Sequence, residues 1–193
     1  PLQTEGIEGL NQLPHEIYLV MTKYYAPIII FVIMLPIFFV GLNRNKSELP
    51  SPLIGKATPS FVLPSLIDPS ITIDQKSING RFVLFNVWAT WCVGCREEHQ
   101  FLMNLSKRKE IAMVGLNWRD NRADALNWLV KLGNPYELTI EDKLGRTAID
   151  WGVYGAPETF LINSNGIIIH KHLGPLTEED WNIDFKPLIT ATQ

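Results

Sequence analysis

FNVWATWCVGCR, residues 85–96, contains both cysteines of the 193-residue chain, Cys92 and Cys95. The run 81–88 is rich in apolar, β-branched and aromatic residues, which predicts a buried strand, and 96–107 has the polarity and spacing of a helix. Cys92 is therefore expected at a helix N-terminus, where free N–H groups and the helix dipole favour a thiolate. Cys95, one turn further along, is expected to be the resolving thiol. This arrangement is typical of a redox-active pair.

Other uses of two cysteines with this spacing fit the chain less well. A structural zinc site needs four ligands. Besides the cysteines, the chain offers four histidines: His15, His99, His170 and His172. Covalent haem attachment requires a histidine directly after the second cysteine, and Arg96 is there instead. A structural disulfide would close a loop too short to restrain much unfolded-chain entropy. Arg96, four residues after Cys92, either stabilises a thiolate or is solvated.

Composition narrows the class of protein. A chain of 193 residues has room for one ordinary domain plus an appendage. The formal net charge of −3 provides no basic field, so no nucleic-acid partner is expected. Because both cysteines belong to one pair, no stray thiol is left to oxidise wrongly, which suits an exported protein.

An uncharged apolar stretch near the N-terminus predicts a membrane anchor. Residues 24–42 carry no charge and are long enough to cross the roughly 30 Å apolar core of a bilayer as one helix. A cleaved signal peptide is the alternative, but no Ala-x-Ala site follows the apolar run, and an uncleaved anchor is favoured. Residues 1–23 are then an N-terminal tail in which Met21 marks the expected natural start. A polar, Pro-rich linker is predicted at 43–58, and a globular domain at 59–193.

The globular part alternates strands and helices. Strands are predicted at 61–63, 71–73, 82–88, 111–117, 160–162 and 167–169. Helices are predicted at 96–107, along 123–130 and from near Pro187, since Pro187 would break a helix that began at Thr177. A strand-helix-strand unit implies a parallel pair with a right-handed crossover, and the Asn165-Gly166 turn predicts a closing antiparallel hairpin. The sum is an α/β domain with a mixed sheet and helices on both faces.

Three stretches carry a family resemblance. WCVGCREEH at 91–99 resembles the active site of membrane-anchored thioredoxin-like proteins. GLNWRD at 115–120 and DWGVYGAPETF at 150–160 are similar to signatures of the CcmG/DsbE family, and the resemblance covers 59–189. It implies a thioredoxin-like fold and a thiol:disulfide oxidoreductase that acts as a protein-disulfide reductase in cytochrome c maturation, without a cofactor or a metal.

The resemblance also indicates site residues. It implies a cis peptide bond before Pro157, which would place the Pro157 loop beside Cys92. Glu98 lies three residues after Cys95 on the same helical face. It matches the acidic group that the family uses to handle the proton of the buried thiol. Glu158 matches a second acidic position of the family. The candidate site residues are thus Cys92, Cys95, Glu98, Pro157 and Glu158.

Partners and location follow from the same resemblance. The expected electron acceptor is the haem-site disulfide of apocytochrome c or a CcmH-like dithiol protein, and the expected donor is a DsbD/CcdA-like membrane thiol transporter. The domain is expected on the periplasmic side of the bacterial inner membrane. The positive-inside count over Arg44, Lys46 and Lys56 points the other way, and the resemblance overrides it.

Two alternative functions stay open. The first is a broader TlpA/ResA-like thiol reductase of exported proteins, which differs only in its substrates. The second is a copper- or haem-handling binding protein that uses the cysteines as ligands. It would need a third soft ligand near the pair, and purified protein would show metal or haem absorbance.

Overall fold

The computed structural model describes residues 15–42 and 51–191. The chain divides into two compact units, the first containing helix α1 (His15–Leu42) and the second a mixed α/β domain. Within the described ranges, no helix meets the length and hydropathy needed to cross a membrane. Side chains of α1 are described only for residues 23–39, so the last residues of the predicted anchor are described by their backbone alone. Residues 1–14 of the predicted tail and residues 43–50 of the predicted linker lie outside the described residues.

A five-stranded sheet organises the second unit. Its strands are β3 (Val83–Trp88), β4 (Ala112–Trp118), β5 (Leu138–Asp142), β6 (Glu158–Ile162) and β7 (Ile168–Leu173). They lie in the order β5-β4-β3-β6-β7, in which β3, β4 and β5 are parallel to one another, β6 is antiparallel to β3, and β7 is antiparallel to β6. A separate antiparallel pair joins β1 (Val62–Pro64) and β2 (Thr72–Asp74). The helices are α2 (Val93–Arg108), α3 (Arg122–Leu132), α4 (Arg146–Asp150), α5 (Glu178–Asp180) and α6 (Lys186–Thr190).

Both faces of the sheet are covered, which is why every residue of β3 is buried. Alternate side chains of β3 point to opposite faces. Leu84 and Trp88 pack in one core with residues of α2, α3 and the C-terminal segment. Phe85 and Val87 pack in a second core with residues of α4 and β2. The predicted mixed sheet with helices on both faces is therefore confirmed.

The predicted linker boundary needs correction. Residues 51–58 belong to the folded domain, because Gly55 N–H donates to the carbonyl of Ile168 and Ile168 N–H donates to Lys56. Thr58 N–H donates to Gly166 in the same way. These bonds satisfy backbone groups at the start of β7, the edge strand of the sheet. From residue 51 onward, this polar, Pro-rich segment is therefore an ordered part of the domain that packs along the edge strand β7.

The prediction that a helix begins near Pro187, with Pro187 in its first turn, is confirmed by α6. The prediction that no helix starts at Thr177 is wrong. The chain is helical from Glu178, and a π-helical turn at Trp181–Phe185 connects α5 to α6. Lys186 N–H donates to the carbonyl of Trp181, five residues back. This wider turn brings the chain to Pro187 in the first turn of α6, where a missing N–H costs least.

Candidate active site

The two cysteines are placed by the junction of β3 with α2. After β3 ends at Trp88, three loop residues lead to Cys92, which is the N-cap of α2. Its Sγ accepts a hydrogen bond from the backbone N–H of Cys95 at 3.0 Å, and the two cysteines form a disulfide. The predicted helix N-terminal position of Cys92 is confirmed. In the reduced protein, the same N–H group and the helix dipole favour a thiolate at Cys92.

Asp120 ties the loop before Cys92 to the end of β4. Its carboxylate accepts hydrogen bonds from the backbone N–H and hydroxyl of Thr90, both at 2.6 Å. It also accepts from Asn117 Nδ2 at 2.9 Å and from the N–H of Asn121 at 2.8 Å. The exposed indole of Trp91 adds a bond from Nε1 to the carbonyl of Arg119. Residues 117–120 of the GLNWRD motif therefore fix the loop that leads to Cys92, the N-cap of α2.

Replacing Asp120 with Asn is expected to destabilise the protein by about 1–2 kcal/mol, because an amide group would turn its own donors toward the donors of Thr90. The loop before Cys92 would lose its attachment, and disulfide reduction should slow as well. Urea denaturation of the oxidised protein measures the first effect. Asp124→Asn, an exposed change on the next helix, is the matched control. Equal stability of the two variants would show that the Asp120 contacts contribute nothing.

Glu98 lies one turn after Cys95 on the buried side of α2, and its neighbour Glu97 is exposed. The Oε1 atom of Glu98 accepts a hydrogen bond from Asn86 Nδ2 at 2.8 Å, and its Oε2 atom accepts one from the N–H of Leu176 at 2.8 Å. Burial disfavours the charge and raises the pKa of Glu98 to about 8, although both hydrogen bonds oppose the rise. Glu98 is therefore a carboxyl group that exchanges a proton near neutral pH beside the second cysteine.

The raised pKa of Glu98 predicts a pH-dependent stability. Between the ordinary pKa of 4.5 and the folded value of about 8, the folded protein binds a proton that the unfolded chain releases. Stability from this group is therefore complete below pH 4.5 and is lost as pH rises through 8. Glu98→Gln should flatten the dependence by a few kcal/mol across that window, and Glu97→Gln should not. Urea midpoints of the oxidised proteins at pH 5 and pH 9 test this, and parallel pH slopes for all three would contradict it.

The Pro157 loop lies against the start of α2. The peptide bond between Ala156 and Pro157 is cis, as predicted. A Cβ atom built on Gly94 would come within 3.0 Å of both Pro157 and Pro175. Gly94, between the two cysteines, therefore permits the close approach of these prolines. Pro157 therefore lies against Gly94, while its predicted position beside Cys92 and its contact with a substrate strand stay predictions.

Glu158 is on the other face of the sheet. In the β3–β6 register, Thr159 is opposite Asn86 and Glu158 is opposite Val87, so Glu158 points into the second core. Its Oε2 lies 2.9 Å from Lys171 Nζ in a buried ion pair. The structure thus brings Cys92, Cys95, Glu98 and Pro157 together but does not bring Glu158 to them.

The Glu158 carboxylate instead holds the loop that leads to Pro157. Its Oε1 accepts from the N–H groups of Tyr154 and Gly155, at 2.7 and 3.1 Å. Lys171 Nζ donates to the carbonyl of Gly152 at 2.7 Å and lies 4.2 Å from the centre of the Tyr154 ring. Glu158 and Lys171 therefore fix residues 152–155, and any effect of Glu158 on the reaction passes through this loop.

Arg96 and the nearest histidine have structural partners. The Arg96 guanidinium lies over the Trp128 ring, 4.5 Å from its centre. Trp128 Nε1 donates to His99 Nδ1, which leaves His99 Nε2 to donate to the carbonyl of Gly133. Burial lowers the pKa of His99, which keeps the ring neutral.

The one cluster of described residues suited to a metal ion contains neither cysteine. It consists of His172, Asp180 and Asp184.

Several site residues were missed by the sequence reasoning. They are Asn86, Thr90, Asp120, Tyr136 and Lys171. A signal existed for Asn86, because an amide in the middle of an otherwise apolar buried strand needs hydrogen-bond partners. Asp120 belongs to a motif already recognised. Nothing local in the sequence pairs Lys171 with Glu158.

The fold and the site define a thioredoxin-like thiol:disulfide oxidoreductase. Comparison with known proteins agrees: the Redoxin family model matches residues 53–186. The DsbE thiol:disulfide interchange protein of Escherichia coli K12 is 46% identical over 168 residues, covering 84% of this chain and 90% of that protein. The DsbE protein of Allochromatium vinosum is 40% identical over 167 residues, covering 86% and 92%. The chain belongs to the DsbE (CcmG) family.

Solved structures give the same fold. The crystal structure of a putative DsbE protein from Chlorobium tepidum matches with a TM-score of 0.58 and 28% identity, covering 70% of this chain and 95% of that one. A secreted thiol-disulfide isomerase from Corynebacterium glutamicum matches with a TM-score of 0.61 and 24% identity, covering 69% and 85%, which supports the fold alone.

Proposed function

We propose that this oxidoreductase acts as a reductant of the haem-site cysteines of apocytochrome c, or of a CcmH-like dithiol protein, during cytochrome c maturation. The observation that carries the direction of electron flow is the buried Glu98 carboxylate one turn after Cys95. A strongly oxidising pair has a stabilised thiolate in its reduced form. A nearby buried acid disfavours additional negative charge, so the dithiol gives up its electrons more readily.

The proposed reaction is a thiol-disulfide exchange that transfers two electrons from the Cys92–Cys95 dithiol to the substrate disulfide. The Cys92 thiolate attacks one sulfur of the substrate disulfide, forms a mixed disulfide and releases the other substrate sulfur as a thiolate, which takes a proton from solvent. Cys95 then loses its proton to the Glu98 carboxylate and attacks Cys92. The second substrate sulfur leaves as a thiolate, the proton held by Glu98 can be returned to it, and the protein is left with the Cys92–Cys95 disulfide.

We also propose a location for this reductant and a source for its electrons. The uncharged run 24–42 supports a single N-terminal anchor in the bacterial inner membrane, with the catalytic domain in the periplasm. There a DsbD/CcdA-like membrane thiol transporter would reduce the disulfide again. Anchoring raises the effective concentration of both partners.

Two measurements test the proposed function. The reduction potential, determined by equilibration with glutathione, should lie below about −180 mV, and a value near −120 mV would indicate an oxidant and overturn the proposal. The reduced protein should then reduce an oxidised Cys-x-x-Cys-His peptide faster than an unrelated exported disulfide protein. Equal rates would instead support a broader TlpA/ResA-like reductase.

A further inference from the structure

Asn86 connects Glu98 to a buried tyrosine. It lies in the middle of β3, fully buried, on the sheet face that packs against α2. Its Nδ2 donates to Glu98 Oε1 at 2.8 Å and to Thr159 Oγ1 at 3.0 Å. Its Oδ1 accepts from the hydroxyl of Tyr136 at 2.7 Å. The amide therefore has a defined partner on each side.

The Tyr136 ring is held firmly in place. It stacks on Trp88, with ring centres 5.9 Å apart. It also lies where a Cβ on Gly115 would come within 2.8 Å of its atoms, so the absence of a side chain at Gly115 makes room for it. Burial and the Glu98 charge keep the pKa of Tyr136 well above 10, and its hydroxyl consequently stays protonated and able to donate.

The orientation of the Asn86 amide matters to the charge on Glu98. With Nδ2 toward Glu98, the amide donates to an ionised carboxylate. In the opposite orientation, Oδ1 would face Glu98, and only a protonated carboxyl group could form a hydrogen bond with it. A hydroxyl that donates to Oδ1 from the far side favours the first orientation. Tyr136 supplies that hydroxyl.

We propose that Tyr136 and Asn86 are positioning residues for proton transfer at Glu98: the Tyr136 hydroxyl fixes the Asn86 amide so that it donates to the carboxylate and stabilises its charged form. The inference rests on the proposed function for the use of this proton in disulfide exchange. Glu98 also accepts a hydrogen bond from the N–H of Leu176, and Cys95 lies one turn before it on α2. Glu158 and Lys171 pair with each other across the sheet.

Tyr136→Phe tests the proposal without a change of shape. Without the hydroxyl, Asn86 is free to turn Oδ1 toward Glu98, and the protonated carboxyl group gains an acceptor. The pKa of Glu98 should rise by about one pH unit. The measurement is a ¹³C NMR titration of the side-chain carboxyl in the oxidised full-length protein, assigned with Glu98→Gln. The pH-rate profile for reduction of a small disulfide should move in the same direction.

Thr159→Val is the matched control, since it removes the other oxygen partner of the same Asn86 amide while Tyr136 still fixes its orientation. It should leave the Glu98 titration unchanged. Equal shifts in both variants, or an unshifted titration in folded Tyr136→Phe, would overturn the proposal. If Tyr136→Phe does not fold, wild type decides: the Asn86 side-chain amide resonance should titrate with the Glu98 midpoint, and a pH-independent resonance would reject the coupling. Because neither titration needs substrate, failure of the cytochrome c proposal would be seen separately.

Discussion

A Cys95→Ser variant is expected to lose turnover and to accumulate a mixed disulfide with its substrate. Cys92 can still attack, but a serine hydroxyl cannot displace the substrate sulfur from Cys92. Turnover should fall by at least about a thousand-fold, the scale seen when an essential nucleophile is removed. Mass spectrometry of the adduct and a continuous assay with a disulfide peptide measure the two effects.

Cys92→Ser is the matched control for this trap. It should lose turnover equally but form no lasting adduct, because the nucleophile itself is missing. Exposure does not distinguish the cysteines, which are 5% and 3% exposed. The assignment rests on the N-cap position of Cys92 and on Glu98 one turn after Cys95. An adduct that forms on Cys95 and not on Cys92 would reverse the two roles.

The part of the fold nearest the cysteines could be predicted from the sequence because its patterns are local. A continuous apolar run gives β3, and an amphipathic stretch after the cysteines gives α2. β5 and α4 were missed since Leu138–Asp142 and Arg146–Asp150 are short and include polar residues. The helix predicted along 123–130 is confirmed as α3, and the residues of it that enter the core are Ala125, Trp128 and Leu129.

The residues of the site likewise fall into two groups, those placed by local sequence and those placed by strand register. Cys92, Cys95 and Glu98 are set by spacing along one helix, so the sequence suffices to place them together. Residues brought in from other strands are a matter of register. Thr159 faces Asn86, while Glu158, one residue earlier, faces the opposite core. A residue beside Pro157 in sequence can therefore be separated from the cysteines by the whole sheet.

The Glu158–Lys171 ion pair is the most consequential of these register-dependent contacts. Its side chains are only 3% and 2% exposed. Removing one charge from a buried pair leaves the other without compensation in a poorly solvating interior, which costs more than the intact pair contributes. If Lys171 is replaced, Glu158 keeps its bonds from the N–H groups of Tyr154 and Gly155. If Glu158 is replaced, Lys171 keeps its bond to the carbonyl of Gly152. In either variant, the loop before Pro157 would be held by the hydrogen bonds of only one of the two side chains.

Lys171→Met is accordingly expected to destabilise the protein by about 3–5 kcal/mol, because it leaves the Glu158 charge buried and unpaired. The double variant Glu158→Gln with Lys171→Met should recover much of that loss, since neither charge is then left alone. Urea denaturation of wild type, Glu158→Gln, Lys171→Met and the double variant measures the coupling. In the folded double variant, reduction of a haem-site peptide should slow more than reduction of a small disulfide, because the loop is loosened while the cysteines are unchanged. Additive losses of stability would mean that the two side chains do not act as a pair.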